Sequence, residues 1–226
     1  MINNKKVVAV ILAAGNSIRY GKKTNKNFEI INDNLVISYS LEVFDNNKYV
    51  DELVVAIKSD EVALMNRIIE GLGLKKKIRM VIGGKTRKDS VYNCIKEIDT
   101  DIVIIHDGAR PLIKDSYVNE CIENIGKYSG VTIGVKSKDT IKITDEDGIV
   151  INTTDRNNTW LVQTPQCFDN KVLIKMHEKF KNEDAFDDCY LLEKGNYKVK
   201  VIEGDYTNIK ITNQSDLEIV KNLLKG

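Results

Sequence analysis

The sequence predicts an α/β fold: a mostly parallel sheet with helices on both faces, from which one β-hairpin projects. Three observations predict it. Continuous apolar runs recur along the chain, stretches of helical period lie between them, and one later segment alternates apolar and polar residues on either side of an Asp-Gly turn. The first run, Val7-Val8-Ala9-Val10-Ile11-Leu12-Ala13-Ala14, is apolar at every position up to Gly15, the pattern of a strand covered on both faces. Leu53-Val54-Val55-Ala56-Ile57 and Ile102-Val103-Ile104-Ile105 repeat it, and Val131-Thr132-Ile133-Gly134-Val135 extends the same sheet. Helical spacing covers residues 37–44, 61–72 and 90–98 between the strands. Later helices are expected over 172–180, 186–193 and 216–224, the last opened by the turn at 213–216.

One segment breaks the alternation. Thr140-Ile141-Lys142-Ile143-Thr144 and Ile149-Val150-Ile151-Asn152-Thr153-Thr154 read as two strands of period two, joined by Asp145-Glu146-Asp147-Gly148, whose Asp-Gly supplies the positive φ a hairpin needs. A hairpin inserted at this point has no sheet neighbour, and an isolated hairpin is marginal in water. This arm, residues 139–155, is therefore expected to pack on a second copy of the chain; lying back on its own domain is the other reading. The 226 residues otherwise read as one domain, 1–226, with no repeat and no low-complexity linker.

Composition excludes several function classes. Thirty-four Lys and Arg against thirty-three Asp and Glu leave a formal charge of +1, so nothing attracts nucleic acid or an anionic membrane globally, and any anion site is a local cluster. No apolar run approaches the roughly 20 residues that span a bilayer, and the N-terminal run is followed by charge, so a cytoplasmic protein is expected. No two of Cys94, Cys121, Cys167 and Cys189 are spaced as a metal-binding pair; they read as reduced core thiols.

Ligands of open α/β sheets bind beyond the carboxyl ends of the strands, which directs attention to three segments. After the first run, residues 16–26 carry four cations and no acid, and Gly15 lets backbone N–H groups approach a phosphate to which Arg19 and Lys26 can add charge-assisted hydrogen bonds. A solvated basic loop is the competing reading; neither a P-loop nor a Rossmann glycine fingerprint is present. After the third run, His106-Asp107-Gly108-Ala109-Arg110-Pro111 offers a strand-end carboxylate suited to a magnesium ion shared with nucleotide phosphates, or alternatively a cap for the next helix. Gly83-Gly84-Lys85-Thr86-Arg87-Lys88-Asp89-Ser90 places paired glycines before a helix start expected at Asp89 or Ser90, suited to backbone contacts with a base or sugar, or to a plain capping turn.

Together these residues resemble a known family. Ala13-Ala14-Gly15, Arg19, Lys26, Gly83-Gly84 with Asp89-Ser90-Val91, His106 to Pro111, Thr154-Asp155-Arg156 with Trp160, Gln163-Thr164-Pro165-Gln166 and Asn208-Ile209-Lys210-Ile211-Thr212 are similar in order and spacing to the 2-C-methyl-D-erythritol 4-phosphate cytidylyltransferases, over nearly the whole chain. The ribitol-5-phosphate cytidylyltransferases share most of them, whereas Asp155-Arg156 with Trp160, and Lys138-Asp139-Thr140-Ile141, look more like the isoprenoid branch. The resemblance implies a Rossmann-like nucleotidyltransferase (GT-A-like) sheet, CTP as donor, Mg²⁺ or another divalent cation as cofactor, and a polyol phosphate as acceptor. It further implies a homodimer with shared sites, and neither nucleic acid nor membrane as partner.

By the same resemblance, Arg19, Lys26 and Lys210 are catalytic, cancelling charge on the α-phosphate and the departing pyrophosphate. Ala14, Gly15, Gly84, Lys85, Ser90 and Asp107 hold the nucleotide, with Asp107 on the metal. Arg156, Thr164 and Lys210 meet the acceptor phosphate, Arg156 from the arm side of a partner subunit. Three positions depart from the family pattern: Asn25-Lys26-Asn27 where Pro-Lys-Gln is usual, Ser17 where a glycine is common, and Phe186 before Asp187-Asp188 where a threonine is usual. A ribitol-5-phosphate or other polyol-phosphate enzyme is the alternative function, and a non-catalytic nucleotide-binding protein a third reading, opposed by the presence of Arg19, Lys26, Asp107, Arg156 and Lys210.

Overall fold

The computed structural model of the chain describes residues 2, 4–15, 17, 20 and 24–225. The first apolar run forms β1 (Val7–Leu12), followed by a 3-10 turn, Lys26–Phe28, and a short hairpin of β2 (Ile30–Ile31) and β3 (Asn34–Leu35). Asn32 and Asp33 close that hairpin at φ 47° and 68°, the two positive values a two-residue hairpin loop needs and that Asn and Asp tolerate. Then come α1 (Val36–Asn46), β4 (Glu52–Ile57), α2 (Val62–Leu72), β5 (Lys77–Ile82), α3 (Arg87–Ile95), β6 (Ile102–Asp107), α4 (Asp115–Asn124) and β7 (Gly130–Lys136). The arm strands β8 (Lys142–Thr144) and β9 (Val150–Thr153) lead into β10 (Trp160–Asp169), α5 (Asn170–Lys179), α6 (Asp188–Lys194), β11 (Val199–Glu203) and α7 (Gln214–Leu223).

Seven strands form one sheet in the order β11-β7-β10-β6-β1-β4-β5, parallel throughout except that β10 runs antiparallel to both β6 and β7. The period of two in β1 sorts its side chains between the two faces. Val7, Ala9 and Ile11 join one core with Leu41 and Phe44 of α1, Met65 of α2 and Cys121 of α4, while Val8 and Val10 join the other with Val91 of α3, Met176 of α5 and Leu192 of α6. Each such side chain taken out of water contributes about 1.5–3 kcal/mol, so a polar residue anywhere in β1 would break the sandwich of layers. A smaller cluster, Tyr20, Ile31, Val36, Ile211, Leu217 and Val220, fastens α7 to the loop after β1.

Register brings the strand ends level. Leu12 pairs with Ala56 on one side and Asp107 on the other, so β1, β4 and β6 finish along one edge, where the loops of interest begin. Asp107 is the last residue of β6 rather than a residue beyond it, and with α4 starting at Asp115 it caps no helix. The helix expected at Asp89 or Ser90 begins earlier, at Arg87. Thr86 is its cap, accepting from the Asp89 N–H while the Asp89 carboxylate accepts from the Thr86 N–H.

A hairpin forms within the expected segment, with strands shorter than the runs 140–144 and 149–154. β8 and β9 pair only with each other, Gly148 takes φ 80°, and Asp145 Oδ1 accepts from the N–H groups of Asp147 and Ile149 to close the turn. Every residue of both strands is exposed, including Ile143, Val150 and Ile151, with Ile149 in the turn beside them.

Candidate functional site

A cleft of about 360 Å³ opens at the carboxyl edge of β1 and β6, and eight of the residues picked out from the sequence line it: Ala14, Gly15, Lys26, Gly84, Lys85, Ser90, Asp107 and Lys210. Arg19 lies outside the described residues. Arg156 sits exposed at the base of the arm and Thr164 is buried in β10; neither lines the cleft. Phe186, at the position where the family usually has threonine, stands 91% exposed on the surface, edge-on to Tyr190.

The paired glycines are required by crowding. A Cβ on Gly83 would run into Ala14 and Ser90, and one on Gly84 into Asp89, so only glycine lets the loop after β5 close against the end of β1. Ser90 locks that closure: its Oγ accepts from the Gly84 N–H at 3.0 Å and donates to the Thr86 carbonyl at 2.9 Å. Its hydroxyl therefore shapes the cleft wall. Ser17 takes φ 52°, the left-handed region that favours glycine, at a cost of roughly 1–2 kcal/mol. Its Oγ, accepting from the Lys26 N–H at 3.2 Å, offsets part of that cost and joins the two halves of the loop.

Asp107 is the electrostatic centre. Lys210 Nζ lies 2.5 Å from its Oδ2, Arg87 Nε 3.4 Å from its Oδ1 and Arg110 Nε 4.0 Å from its Oδ2. Burial alone would raise its pKa, but the charges of Arg87, Lys210 and Arg110 outweigh it and hold the carboxyl well below the usual carboxylate range. Lys210 arrives from the loop before α7, and Arg110 is pinned by donating to the Asn208 carbonyl at 2.7 Å.

Two assemblies support the site; Asp188 and His177 of the first were not singled out from the sequence, and Thr164 of the second, expected at the acceptor phosphate, turns instead toward His106 and the Asp107 backbone. Arg87, in the first turn of α3, also donates to Asp188 Oδ2 at 2.6 Å, and Asp188 Oδ1 lies 3.0 Å from His177 Nε2. Asp188 is buried, which alone would raise it, yet Arg87 and His177 draw its pKa down. The second assembly is neutral. His106 is fully buried and its pKa falls to about 3, first through burial and then through the Arg110 and Lys210 charges, so the ring is uncharged. Its Nε2 faces the Arg110 carbonyl at 3.3 Å, which makes Nε2 the protonated nitrogen, leaving Nδ1 to accept the Thr164 hydroxyl at 3.1 Å. That hydroxyl oxygen in turn accepts the Asp107 N–H at 3.1 Å. Thr164 thus holds the backbone of Asp107 from behind.

This arrangement, a buried carboxylate ringed by cations at the end of a parallel strand, suits a ligand with several negative charges. The family model of 2-C-methyl-D-erythritol 4-phosphate cytidylyltransferase (IspD) matches residues 7–226. The chain belongs to this family. Among cytidylyltransferase relatives, that of Caldanaerobacter subterraneus subsp. tengcongensis is 40% identical over 97% of this chain and 99% of its own length, and that of Clostridium perfringens 39% identical over 97% and 99%. The crystal structure of 4-diphosphocytidyl-2C-methyl-D-erythritol synthase from Anaerococcus prevotii superposes with a TM-score of 0.88 at 32% identity, covering 98% of this chain and 99% of that one. The cytidylyltransferase from Thermus thermophilus superposes with a TM-score of 0.78 at 25% identity, over 96% and 98%. The mixed α/β fold with a mostly parallel central sheet is that of the cytidylyltransferase family, and no described helix is long and apolar enough to cross a membrane.

Proposed function

We propose that the chain is a cytoplasmic nucleotidyltransferase that moves CMP from CTP to 2-C-methyl-D-erythritol 4-phosphate and releases pyrophosphate. An oxygen of the acceptor phosphate attacks the α-phosphorus, and the bond from that phosphorus to the bridging oxygen of pyrophosphate breaks. The nucleophile is already an anion, so no general base is needed. The work of the protein is to bring two phosphate groups together and to cancel the charge that grows on the leaving oxygen. Lys26 and Lys210, which face the cleft, and Arg19 are assigned that role; Ala14, Gly15, Gly84 and Lys85 hold the nucleotide, with Ser90 fixing their loop. The single observation that carries the reading is Asp107, a strand-end carboxylate held ionised between Lys210 and Arg87 on a cleft also walled by Lys26 and Lys85. Four buried free thiols agree with a reducing compartment.

Asp107 also fits a divalent cation. It is a hard oxygen donor on the cleft wall, and magnesium is commonly held by one or two carboxylates with substrate phosphates and water completing its shell. When bound there, Mg²⁺ would neutralise charge on the nucleotide phosphates. The single domain, 1–226, would act as a homodimer: pairing of the arms would cover Ile143, Ile149, Val150 and Ile151 and carry Arg156, which does not line its own cleft, toward the acceptor phosphate in the partner's site. Thr164, whose hydroxyl oxygen accepts the Asp107 N–H, serves the acceptor by fixing the backbone that carries that carboxylate.

The test is pyrophosphate release from CTP with Mg²⁺ and each polyol phosphate in turn. Release with 2-C-methyl-D-erythritol 4-phosphate that stops on adding EDTA is expected. Release only with ribitol 5-phosphate would move the acceptor assignment, and release undiminished in EDTA would remove the metal.

A further inference from the structure

Lys26 stands between two buried asparagines, whose side chains hydrogen-bond to each other and to the chain around them. Asn25, 4% exposed, donates from Nδ2 to the Ala13 carbonyl at 2.7 Å and to Glu61 Oε2 at 2.9 Å; its Oδ1 accepts from the Asn27 N–H at 3.1 Å and from Asn27 Nδ2 at 2.9 Å. Both hydrogens and both lone pairs of the amide are used. Asn27, 3% exposed, has no freedom to turn over, because its carbonyl oxygen would then face the Ala13 carbonyl and Asn25 Oδ1. As it stands, that oxygen rests against Gly108, where even a Cβ would approach it to 3.0 Å. The pair thus ties the turn that carries Lys26 to the end of β1 and to the residue before α2.

We propose that Asn25 is a positioning residue: its amide latch fixes the backbone that aims Lys26 into the cleft. The inference rests on the reading of Lys26 as the catalytic cation. Asn25 holds φ −69° and ψ 123° and caps the 3-10 turn, in which the Phe28 N–H reaches the Asn25 carbonyl at 2.9 Å and the Glu29 N–H the Lys26 carbonyl at 3.3 Å. These angles are ones that a proline ring enforces covalently, with φ near −65°. Two substitutions therefore separate positioning from stability. Asn25→Ala and Asn25→Pro lose the same side-chain hydrogen bonds and leave the same partners unsatisfied, but only Asn25→Pro keeps the backbone direction.

The experiment measures steady-state kinetics with CTP together with hydrogen exchange at the Phe28 and Glu29 amides. Asn25→Ala should lower kcat by about 10- to 100-fold, the range for a displaced catalytic charge, with KM for CTP changed by less than about threefold, and both amides should exchange faster. Asn25→Pro should return kcat to within about threefold of the parent and keep parental exchange at both amides, although it melts at a similar temperature to Asn25→Ala. Parental kcat in Asn25→Ala, or an Asn25→Pro enzyme as slow as Asn25→Ala, overturns the proposal. A parent protein that releases no pyrophosphate from CTP would instead refute the proposed function, while exchange at Phe28 and Glu29 still decides the latch: unchanged rates in Asn25→Ala overturn it.

Discussion

The buried neutral imidazole of His106 makes stability depend on pH in a way that can be isolated. In the unfolded chain it takes up a proton near its ordinary value of 6.5; in the folded protein, shut away from water beside Arg110 and Lys210, it does so only at about 3. Its folded pKa is therefore depressed. The contribution is fully present above 6.5 and is lost as pH falls from 6.5 toward 3, with a slope approaching about 1.4 kcal/mol per unit. Between pH 6 and pH 4.5 the loss from this one group is about 2 kcal/mol. Urea denaturation at the two pH values measures it in the parent and in His106→Gln, whose amide can still donate toward the Arg110 carbonyl but does not titrate. The variant is less stable at both pH values because its side chain packs differently, so the quantity read is the change with pH: it should be smaller in the variant by about 2 kcal/mol. Groups common to both proteins cancel. Equal changes with pH in parent and variant would refute the reasoning, and with it the protonation assignment that routes the Thr164 hydroxyl to Nδ1.

Two further outcomes follow from the roles proposed for the cations. Lys26→Ala and Arg19→Ala should reduce kcat far more than they weaken CTP binding measured by calorimetry, because charge on the bridging oxygen grows only as the bond to pyrophosphate breaks; the opposite pattern would make both residues ground-state phosphate clamps. Arg156→Ala and Lys26→Ala should each be nearly inactive alone, yet co-refolding them in equal amounts should restore about a quarter of parental activity, since about half of randomly assorted dimers are mixed and each has one intact site. Return of no activity would place Arg156 in the site of its own chain.

The order of strands and helices was legible wherever burial on both faces made a run apolar at every position, as in β1, β4 and β6. It was not legible at the margins of the sheet. β5 and β11 are its two edges, and their sequences, Lys77-Ile78-Arg79-Met80-Val81-Ile82 and Val199-Lys200-Val201-Ile202-Glu203, carry charge on the side that meets solvent. β10 hid for a different reason. Gln163-Thr164-Pro165-Gln166 reads as a compact motif, but it lies inside a strand whose pairing with β7 shifts register between Val162 and Gln166, which accommodates a proline with no N–H to give. Three polar side chains and a proline in the middle of a sheet cannot be recognised as strand until the partners of the polar groups are known, and those partners include His106 and Asp187.

The same argument explains which part of the site was readable. Gly15 follows one apolar run and Asp107 closes another, so the end of each strand points at them. Arg87 lies in a helix, 20 residues from Asp107 and 101 from Asp188, and no local pattern connects the three. Its identity as the link between two carboxylates is created by the crossing of α3 over the sheet and the return of α6 beside it. A lysine there would keep the charge but not the fork: one guanidinium donates from Nη1 to Asp188 and from Nε toward Asp107, two separate atoms of a rigid plane, whereas an ammonium would have to meet both carboxylates at a single nitrogen on a flexible stem. Asp107 is thus aimed from the strand by its own backbone N–H, from the cleft by Lys210, and from α3 by a side chain that Asp188 of α6 also holds. The carboxylate is fixed by groups remote in sequence, and that remoteness is why only its position at the strand end could be read in advance.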